Sequence, residues 1–388
     1  MPGEKLIMAA GPAMIPPRVL NVMGRQIIYH GTGEFRSVLE GLESDLQYVF
    51  RTRNRVLVFT ASGTGAMESA VVNLFSRGDK VLAVSNGTFG ERFAEIAGIF
   101  GLNVRKLTFN WGEAADIHVI KDIIEKDEDV QIKAVLMVHN ETSTGVTNDI
   151  EAVGKLLKGT GRLLVVDAVS SAGGLELRTD EWGADVVVAS SQKALMAPPG
   201  LGFVTVSDRA WKAYESSTLP KFYWDFKKCG KFILNEATGS VPFTPSISLL
   251  AAQAEALKMI KEEGLENVHE RHKKLALATR SGIKALGLSL FPREEAASYT
   301  VTVVKSPEGI DIEKVQRIMD EKFDIIVTCG QRRLKGKILR IGHLGYVDGS
   351  HIIKTFEALE HALSEAGFAV EIGASVAAVR NALAGARL

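Results

Sequence analysis

Short apolar runs alternate with longer segments of helical periodicity over the first half of the chain. The segments 65–74 and 89–100 repeat their apolar residues with the spacing of an amphipathic helix. The runs between such segments carry no polar alternation, which is typical of strands buried on both faces of a helix-covered, mostly parallel sheet. These runs are Arg55–Thr60, Lys80–Ser85, Lys133–His139, Arg162–Asp167 and Asp185–Ser190. The alternation predicts an α/β architecture.

The pattern changes near Thr244, where a helical stretch rich in Ala, Glu, Lys and Leu follows. We predict one helical connection over Ser246–Leu286, which leads into a smaller α+β domain. Strand candidates in that domain are Tyr299–Lys305, Ile325–Val327 and Ile338–Ile341, and helices are predicted at His351–Ala366 and Ser375–Ala384. The chain is therefore predicted to consist of an N-terminal arm (1–20), a large domain (21–260) and a small C-terminal domain (261–388).

Composition narrows the class of protein. The 388 residues are 46% hydrophobic, and 46 Lys and Arg balance 46 Asp and Glu, so no net charge attracts nucleic acid or acidic membranes. No apolar run reaches the ~18 residues of a membrane helix, no signal-peptide pattern is present, and two cysteines fit a reducing compartment. We therefore expect a cytoplasmic enzyme without a metal site. The terminal Ala386-Arg387-Leu388 loosely matches a peroxisomal address, relevant only in a eukaryote, and we interpret it as an ordinary helix end.

Ligands of open α/β sheets bind beyond the carboxyl ends of the strands, where four segments of this chain place polar residues. The first, Thr60–Ala66, is rich in small residues that let backbone N–H groups and a helix N-terminus approach a phosphate. It fits an ordinary strand–helix turn equally well. The second, His139–Gly145, contains three consecutive hydroxyl residues, which either bond the ring substituents of a ligand or cap a helix.

Asp167 and Lys193 stand at the other two strand ends, 26 positions apart. A carboxylate that ends an apolar strand is buried and needs a partner, which is a protonated pyridine nitrogen, a helix N-terminus or an arginine. Lys193 is enclosed by serines, a methionine and a Pro-Pro-Gly turn, and desolvation there lowers the pKa of an amine, as a Schiff-base lysine requires. An aspartate for the ring nitrogen and a lysine for the aldehyde together indicate pyridoxal phosphate.

Several motifs make the chain similar to the class V aminotransferases, in particular to the alanine–glyoxylate and serine–pyruvate aminotransferase group. These motifs are Ala10-Gly11-Pro12, Ser191-Gln192-Lys193-Ala194, Ala197-Pro198-Pro199-Gly200 and Leu339-Arg340-Ile341-Gly342-His343-Leu344-Gly345. The resemblance covers nearly the whole chain. It implies the type I fold of pyridoxal-phosphate enzymes, in which a large domain with a mostly parallel, helix-covered sheet carries the cofactor and a smaller α+β domain follows.

The resemblance also implies a role for each matching residue. Lys193 is expected to hold the cofactor as a Schiff base and to move the α-proton, with Asp167 paired to the pyridinium nitrogen. Arg340 is expected to bind the α-carboxylate of the substrate, next to Gly11 of the arm. The other implied cofactor contacts are Thr64, Gly65 and Ala66 at the phosphate, Gln192 beside them, Thr142 against the ring, and Thr244, which reaches the phosphate of a neighbouring subunit. A homodimer is therefore implied.

Two positions depart from the family pattern. Phe89 stands where the family often has a ring-stacking tryptophan, so it can stack by its face but has no N–H to donate. Val241 stands where some relatives carry a hydroxyl residue, so the phosphate either has one donor fewer or receives it from elsewhere. Both changes concern how tightly the cofactor is held, and neither removes a group that the chemistry needs.

The implied activity is pyridoxal-phosphate-dependent transamination between a small L-amino acid and a 2-oxo acid. Alanine, serine and aspartate all fit as donors, with glyoxylate or pyruvate as acceptor. Two alternatives stay open: a cysteine desulfurase-like lyase that uses Cys329, and a non-catalytic subunit with the same fold. The first needs a reactive thiol, whereas Cys329 directly follows a strand pattern. The second gives no reason for Asp167, Lys193 and Arg340 to occur together.

Overall fold

The computed structural model describes residues 5–233 and 243–385, so Val241 and the terminal Ala386-Arg387-Leu388 lie outside the described residues. Over that part of the chain the strands are β1 (Leu6–Ile7), β2 (Arg55–Thr60), β3 (Lys80–Ser85), β4 (Asn103–Thr108), β5 (Ile132–Val138), β6 (Asn140–Glu141), β7 (Val146–Thr147), β8 (Leu163–Asp167), β9 (Val186–Ser190), β10 (Leu201–Val206), β11 (Val301–Lys305), β12 (Ile325–Ile326), β13 (Thr328–Cys329) and β14 (Ile338–Gly342).

The α-helices of the same ranges are α1 (Pro17–Met23), α2 (Gly33–Phe50), α3 (Gly63–Leu74), α4 (Thr88–Ile99), α5 (Ile117–Glu125), α6 (Ile150–Leu157), α7 (Asp208–Ser216), α8 (Phe226–Ile233), α9 (Ile247–Glu263), α10 (Leu265–Ala285), α11 (Ile312–Phe323), α12 (Gly349–Glu365) and α13 (Ala374–Gly385). None of the helices in the described part of the chain combines the length and the apolar character that crossing a membrane requires.

The large sheet has seven strands in the order β2-β10-β9-β8-β5-β3-β4. β10 runs antiparallel to both of its neighbours, and the remaining neighbouring pairs are parallel. Successive residues of β8 point to opposite faces, so that Leu163 and Val165 join one hydrophobic core while Leu164 and Val166 join another. Because helices cover both faces, every residue of β8, β9 and β10 is buried. The α/β prediction is confirmed.

The sequence pattern misses two strands of this sheet and merges two helices. β4 is an edge strand whose side chains are largely exposed, so its sequence contains no apolar run. β10 begins directly after the Pro-Pro-Gly turn, and its apolar run is not among the predicted strands. The helical stretch predicted over Ser246–Leu286 consists of two helices, because Gly264 adopts a φ of 85°, which ends α9, and α10 begins at the next residue.

The C-terminal part contains a three-stranded antiparallel sheet in the order β11-β14-β13, which shares a hydrophobic core with α10 to α13. The arm is tied to this part: β1 pairs in parallel with β12, and Met8 is fully buried in the same core. The backbone N–H of Gly342, at the end of β14, donates to the Met8 carbonyl at 2.7 Å. The arm therefore runs from this core towards the large sheet, and the domain limits given above stay a prediction.

Candidate active site

The carboxyl ends of the parallel strands meet at one edge of the large sheet. Val138, the last residue of β5, lies in register with Asp167, the last residue of β8, and the His139 N–H donates to the Asp167 carbonyl at 2.9 Å. The turn after β2 reaches the same place, because a Cβ on Gly63 would lie 2.6 Å from Val169 Cγ2 and 3.3 Å from Ser190 Oγ. The four segments singled out in the sequence therefore converge.

Lys193 lies in the turn between β9 and β10, where the arm closes over it. Its Nζ donates to the Ala10 carbonyl at 2.7 Å, and the Ala13 N–H donates to the Gln192 carbonyl at 2.9 Å. A Cβ on Gly11 would lie 2.2 Å from Lys193 Nζ, and Gly11 has a φ of 111°, so only glycine fits there. Burial, with help from the nearby positive charge of Arg340, lowers the pKa of Lys193 to about 8.

The Asp167 side chain is only 3% exposed and has little to compensate its charge. Oδ1 accepts one hydrogen bond, from the Val169 N–H at 2.8 Å, and among the described residues no cation forms an ion pair with the carboxylate. Burial raises the pKa of Asp167 to about 7, with a further contribution from the negative charge of Glu141. An N–H⁺ group of a ligand would supply the missing partner.

The segment between β2 and α3 forms a tight cradle of small residues. The Gly65 N–H donates to the Ser62 side chain at 3.4 Å, and Ser62 caps α3. A Cβ on Gly65 would lie 2.7 Å from the Trp224 ring, so the cradle leaves no room for a side chain there. Thr64 is half-buried and Ala66 is buried. The N-terminus of a twelve-residue helix that carries only small side chains suits a phosphate group.

Sequence reasoning does not single out Arg92, which the structure places at this cradle. Its Nη1 donates to Thr64 Oγ1 at 3.1 Å, and its guanidinium lies 4.9 Å from the centre of the Phe89 ring. Phe89 and Arg92 are three residues apart in α4 and so share one face of that helix. Phe89 and Arg92 stand three positions apart in the helix that follows the predicted strand Lys80–Ser85. That spacing is the signal that could have revealed Arg92.

Several buried polar atoms of the described residues lack a hydrogen-bond partner, and two of them lie close to Gly63 and Lys193. These two are Ser190 Oγ, at the end of β9, and Gln192 Oε1, next to Lys193. Unpaired buried polar atoms are costly in a folded protein, so their grouping beside the cradle indicates a place for a polar ligand. Together with the unpaired Asp167 carboxylate and the glycine-lined helix N-terminus, they fit the ring nitrogen, aldehyde and phosphate of pyridoxal phosphate.

Arg340 approaches the site from the small domain. It lies on β14, is 6% exposed, and donates from Nε to the Cys329 carbonyl at 3.2 Å. This hydrogen bond uses the inner nitrogen of the guanidinium, and no hydrogen bond among the described residues occupies the two terminal nitrogens. The charge of Arg340 also helps to lower the pKa of Lys193, so it lies near enough to act on the amine. The pair of terminal nitrogens is free to bind a carboxylate in bidentate geometry.

Cys329, whose carbonyl accepts the hydrogen bond from Arg340, does not have the surroundings of a nucleophile. It forms part of β13, and its thiol donates to the Ile312 carbonyl at 3.6 Å. Burial raises the pKa of the Cys329 thiol to about 11, so the reactive thiolate is scarce at neutral pH. The geometry therefore gives no support to the desulfurase alternative.

The other predicted residues differ in how closely they join the site. Thr142 is 3% exposed, in the turn that links β6 to β7. Its neighbour Glu141, which sequence reasoning also overlooks, is fully buried. Thr244 is exposed, and no hydrogen bond among the described residues joins it to Lys193 or Asp167. Its predicted role therefore depends on a second subunit.

Comparisons with known proteins agree with this geometry. Residues 6–343 match the family described as Aminotransferase class-V. The chain is 41% identical to the soluble hydrogenase small subunit of Synechococcus sp., covering 99% of both chains. It is 38% identical to the serine–glyoxylate aminotransferase of Methylorubrum extorquens, covering 98% of this chain and 96% of that one. It superposes on the crystal structure of ureidoglycine–glyoxylate aminotransferase from Bacillus subtilis with a TM-score of 0.94, at 30% identity and 98% coverage of both chains.

The resemblance seen in the motifs is confirmed by these matches, as are the fold and the cofactor expected from it. The large mixed sheet with its covering helices is the type I fold of pyridoxal-phosphate aminotransferases. The chain is an enzyme that uses pyridoxal 5′-phosphate, and it belongs to the class V aminotransferase family.

Proposed function

We propose that this chain transfers the amino group of alanine, serine or aspartate to glyoxylate or pyruvate. The convergence of Asp167, Lys193 and Arg340 at one sheet edge carries the proposal, because it unites a cofactor anchor, a base and a carboxylate site. The names of the relatives support glyoxylate as the acceptor, since both the serine–glyoxylate and the ureidoglycine–glyoxylate enzyme are named for it.

The residues around the edge of the sheet would hold the cofactor in a fixed orientation. Asp167 would pair with the ring nitrogen, and Lys193 would hold the aldehyde carbon. The phosphate would lie at the N-terminus of α3, where the cradle residues and Arg92 supply N–H groups and positive charge. The remaining contacts in this proposal are the cradle residues Thr64, Gly65 and Ala66 with Gln192 beside them, and Phe89 and Thr142 at the ring.

The chain's own residues account for the proton transfer. When bound, pyridoxal phosphate supplies a sink for the electron pair left behind when the substrate loses its α-proton. Lys193 Nζ takes that proton, because its lowered pKa of about 8 keeps part of the amine neutral near pH 7. The Ala10 carbonyl orients Nζ, and the absent side chain of Gly11 leaves it room. Arg340 holds the α-carboxylate and thereby directs the Cα–H bond towards Nζ.

The non-catalytic alternative left open by the sequence gains no support from the site. The hydrogenase-subunit name of the Synechococcus relative describes that protein, and a scaffold of this fold would not require a buried base facing a carboxylate clamp. The retained lysine and arginine therefore favour catalysis.

We extend the proposal to a homodimer in which Thr244 serves the neighbouring subunit. Thr244 is exposed, and it follows Phe243, whose ring stacks on Tyr223 with a centroid distance of 4.4 Å. Phe222, which precedes Tyr223 in the chain, is 72% exposed, so exposed aromatic surface adjoins Tyr223 in the sequence. Apolar surface of this kind is typical of an interface between subunits.

The activity is tested by the absorbance of the bound cofactor as single amino acids are added. We expect alanine, serine or aspartate to shift the spectrum and glyoxylate to reverse the shift. Lys193→Ala is expected to lower turnover by roughly a thousand-fold or more, because the base is lost, whereas the exposed Lys212→Ala control keeps it. Substantial turnover in the Lys193 variant would remove that residue from its role. Sulfide release from cysteine would favour a desulfurase, and a spectrum that ignores every amino acid would favour the scaffold.

Arg340→Lys tests the carboxylate site. A lysine retains the charge but cannot offer two parallel N–H donors, so KM is expected to rise roughly ten- to a hundred-fold for the amino acid and the oxo acid alike. kcat should change much less. Arg317→Lys, at a side chain that is 63% exposed, is the control and should leave both KM values unchanged. If Arg340→Lys also leaves both unchanged, the substrate carboxylate binds elsewhere.

Asp167→Asn tests the buried charge through stability in the cofactor-free protein. The raised pKa means that the folded state holds a proton between about pH 4 and pH 7 that the unfolded state has lost, so stability falls as pH rises through that window. Between these pH values, the free energy of unfolding of the cofactor-free wild type is therefore expected to fall by up to about 4 kcal/mol relative to that of the variant, as measured by urea unfolding. Adding pyridoxal phosphate at pH 8 should stabilise the wild type more than the variant. If the free energies of unfolding of the two proteins changed with pH in the same way, the buried carboxylate of Asp167 would not be the titrating group.

Thr244 is tested with hybrid dimers. Thr244→Ala is expected to weaken pyridoxal-phosphate affinity roughly ten-fold, as loss of a hydrogen bond to a charged group does. In a hybrid of Thr244→Ala and Lys193→Ala subunits, a hydroxyl donated across the interface leaves one site fully intact, with wild-type affinity and activity. A hydroxyl that acted within its own subunit would leave no intact site in the hybrid. Sedimentation as a monomer would overturn the dimer.

A further inference from the structure

The N-terminus of α4 is capped by a different segment of the chain. Its own N-cap residue, Gly87, has no side chain to accept hydrogen bonds from the first turn. The Thr88 N–H instead donates to Ser143 Oγ at 2.9 Å. The N–H groups of Phe89 and Gly90 both donate to Glu141, at 2.9 and 3.0 Å. Three of the orphan donors of this helix are therefore satisfied by the turn that follows β5.

Glu141 is the centre of this junction. It is fully buried, and the oxygen that does not bind α4 accepts hydrogen bonds from the N–H and the hydroxyl of Ser143, at 3.2 and 2.5 Å. The positive end of the α4 dipole and four donors offset part of the cost of burying this carboxylate, and burial still raises the pKa of Glu141. Gly87 provides the space: a Cβ there would lie 2.3 Å from Glu141 Cγ and 2.6 Å from Ser143 Oγ. The φ of Gly87 is 178°, so glycine is needed here for its size and not for its conformation.

The junction links two residues that the proposed function places at the cofactor ring. Phe89 donates its backbone N–H directly to Glu141, and Thr142 lies in the chain between Glu141 and Ser143. Arg92, one turn further along α4, bonds the cradle at Thr64. Any change in the junction therefore changes the position of α4 relative to the Thr142 turn. We propose that Glu141 and Ser143 are positioning residues that fix Phe89 and Thr142 relative to each other and thereby orient the cofactor. This inference rests on the proposed function.

The chain contains a matched control for this arrangement. Glu360 on α12 is 1% exposed and caps the N-terminus of α13 in the same way. It accepts hydrogen bonds from the N–H groups of Gly373, Ser375 and Val376 at 2.7, 2.9 and 3.3 Å, and from the Ser375 hydroxyl at 2.6 Å. The two carboxylates have little exposed surface and the same kinds of donor. They differ in electrostatics, because burial raises the pKa of Glu141, whereas hydrogen bonds outweigh the effect of burial at Glu360 and lower its pKa. Only Glu141 joins residues of the proposed cofactor site.

The test compares Glu141→Gln with Glu360→Gln. An amide offers one oxygen and one NH₂ group, so each variant leaves some N–H donors of its junction unpaired, and both are expected to lower the urea midpoint. Only Glu141→Gln is expected to weaken pyridoxal-phosphate binding to the cofactor-free protein, by roughly ten-fold, and to change the visible circular dichroism of the bound cofactor. Ser143→Ala removes only a hydroxyl, folds more readily, and should show the same two effects at smaller size.

The inference is overturned if Glu141→Gln and Ser143→Ala are less stable than the wild type but bind pyridoxal phosphate with the same affinity and show the same visible circular dichroism. If Glu141→Gln does not fold, the Ser143→Ala readouts decide the question. Failure of the proposed function has a different signature, because it appears as turnover that survives Lys193→Ala or as a spectrum insensitive to amino acids. A normal Lys193 result with unchanged Glu141 and Ser143 readouts would therefore reject the positioning role and leave the aminotransferase activity standing.

Discussion

The burial of the Asp167 carboxylate without a counter-charge is the constraint on which the rest of the site depends. A single backbone N–H bonds the carboxylate, and the charges of Arg92 and Lys193 act on it without forming an ion pair. A buried charge left in this condition is expensive, and no side chain in the described ranges forms an ion pair with it. The folded chain is therefore electrostatically incomplete at this edge until a cationic N–H group occupies it, which couples cofactor binding to stability.

The N-terminal arm connects the two halves of the site. The Met8 carbonyl accepts from Gly342, two residues after Arg340, and the Ala10 carbonyl accepts from Lys193 Nζ. A Cβ on Gly342 would lie 2.0 Å from the Ala9 carbonyl oxygen, so the arm and β14 are in direct backbone contact. The distance between the carboxylate clamp and the base is thus set by a few residues of one extended segment. Reaction geometry at the 1 Å level depends on such short, rigid connections.

The sequence predicts those parts of the fold and site that leave a local signature. Central strands appear as apolar runs, and Lys193 and Asp167 appear where such runs end. The edge strand β4 escapes because exposed side chains remove the apolar run, and Gly264 breaks a helix whose composition is continuous across it. The sequence does not reveal Arg92 and Glu141 for another reason, because each depends on a contact with a distant segment. Arg92 donates to Thr64, and Glu141 accepts from the N-terminus of α4. Such roles depend on tertiary contacts and have no periodicity.

In the proposed function, Arg340 and Lys193 have separate roles, which would let one site serve two half-reactions. An amino acid and an oxo acid differ at the α-carbon and share the α-carboxylate, so a single fixed clamp accepts both. Arg340 is a buried cation that stays charged across the physiological range, which suits the group that does not change. Lys193 has a pKa of about 8, lowered by burial and by that same arginine, which suits a group that must both take and return a proton. In the proposed function, the guanidinium that would bind every substrate therefore also lowers the pKa of the base that would act on it.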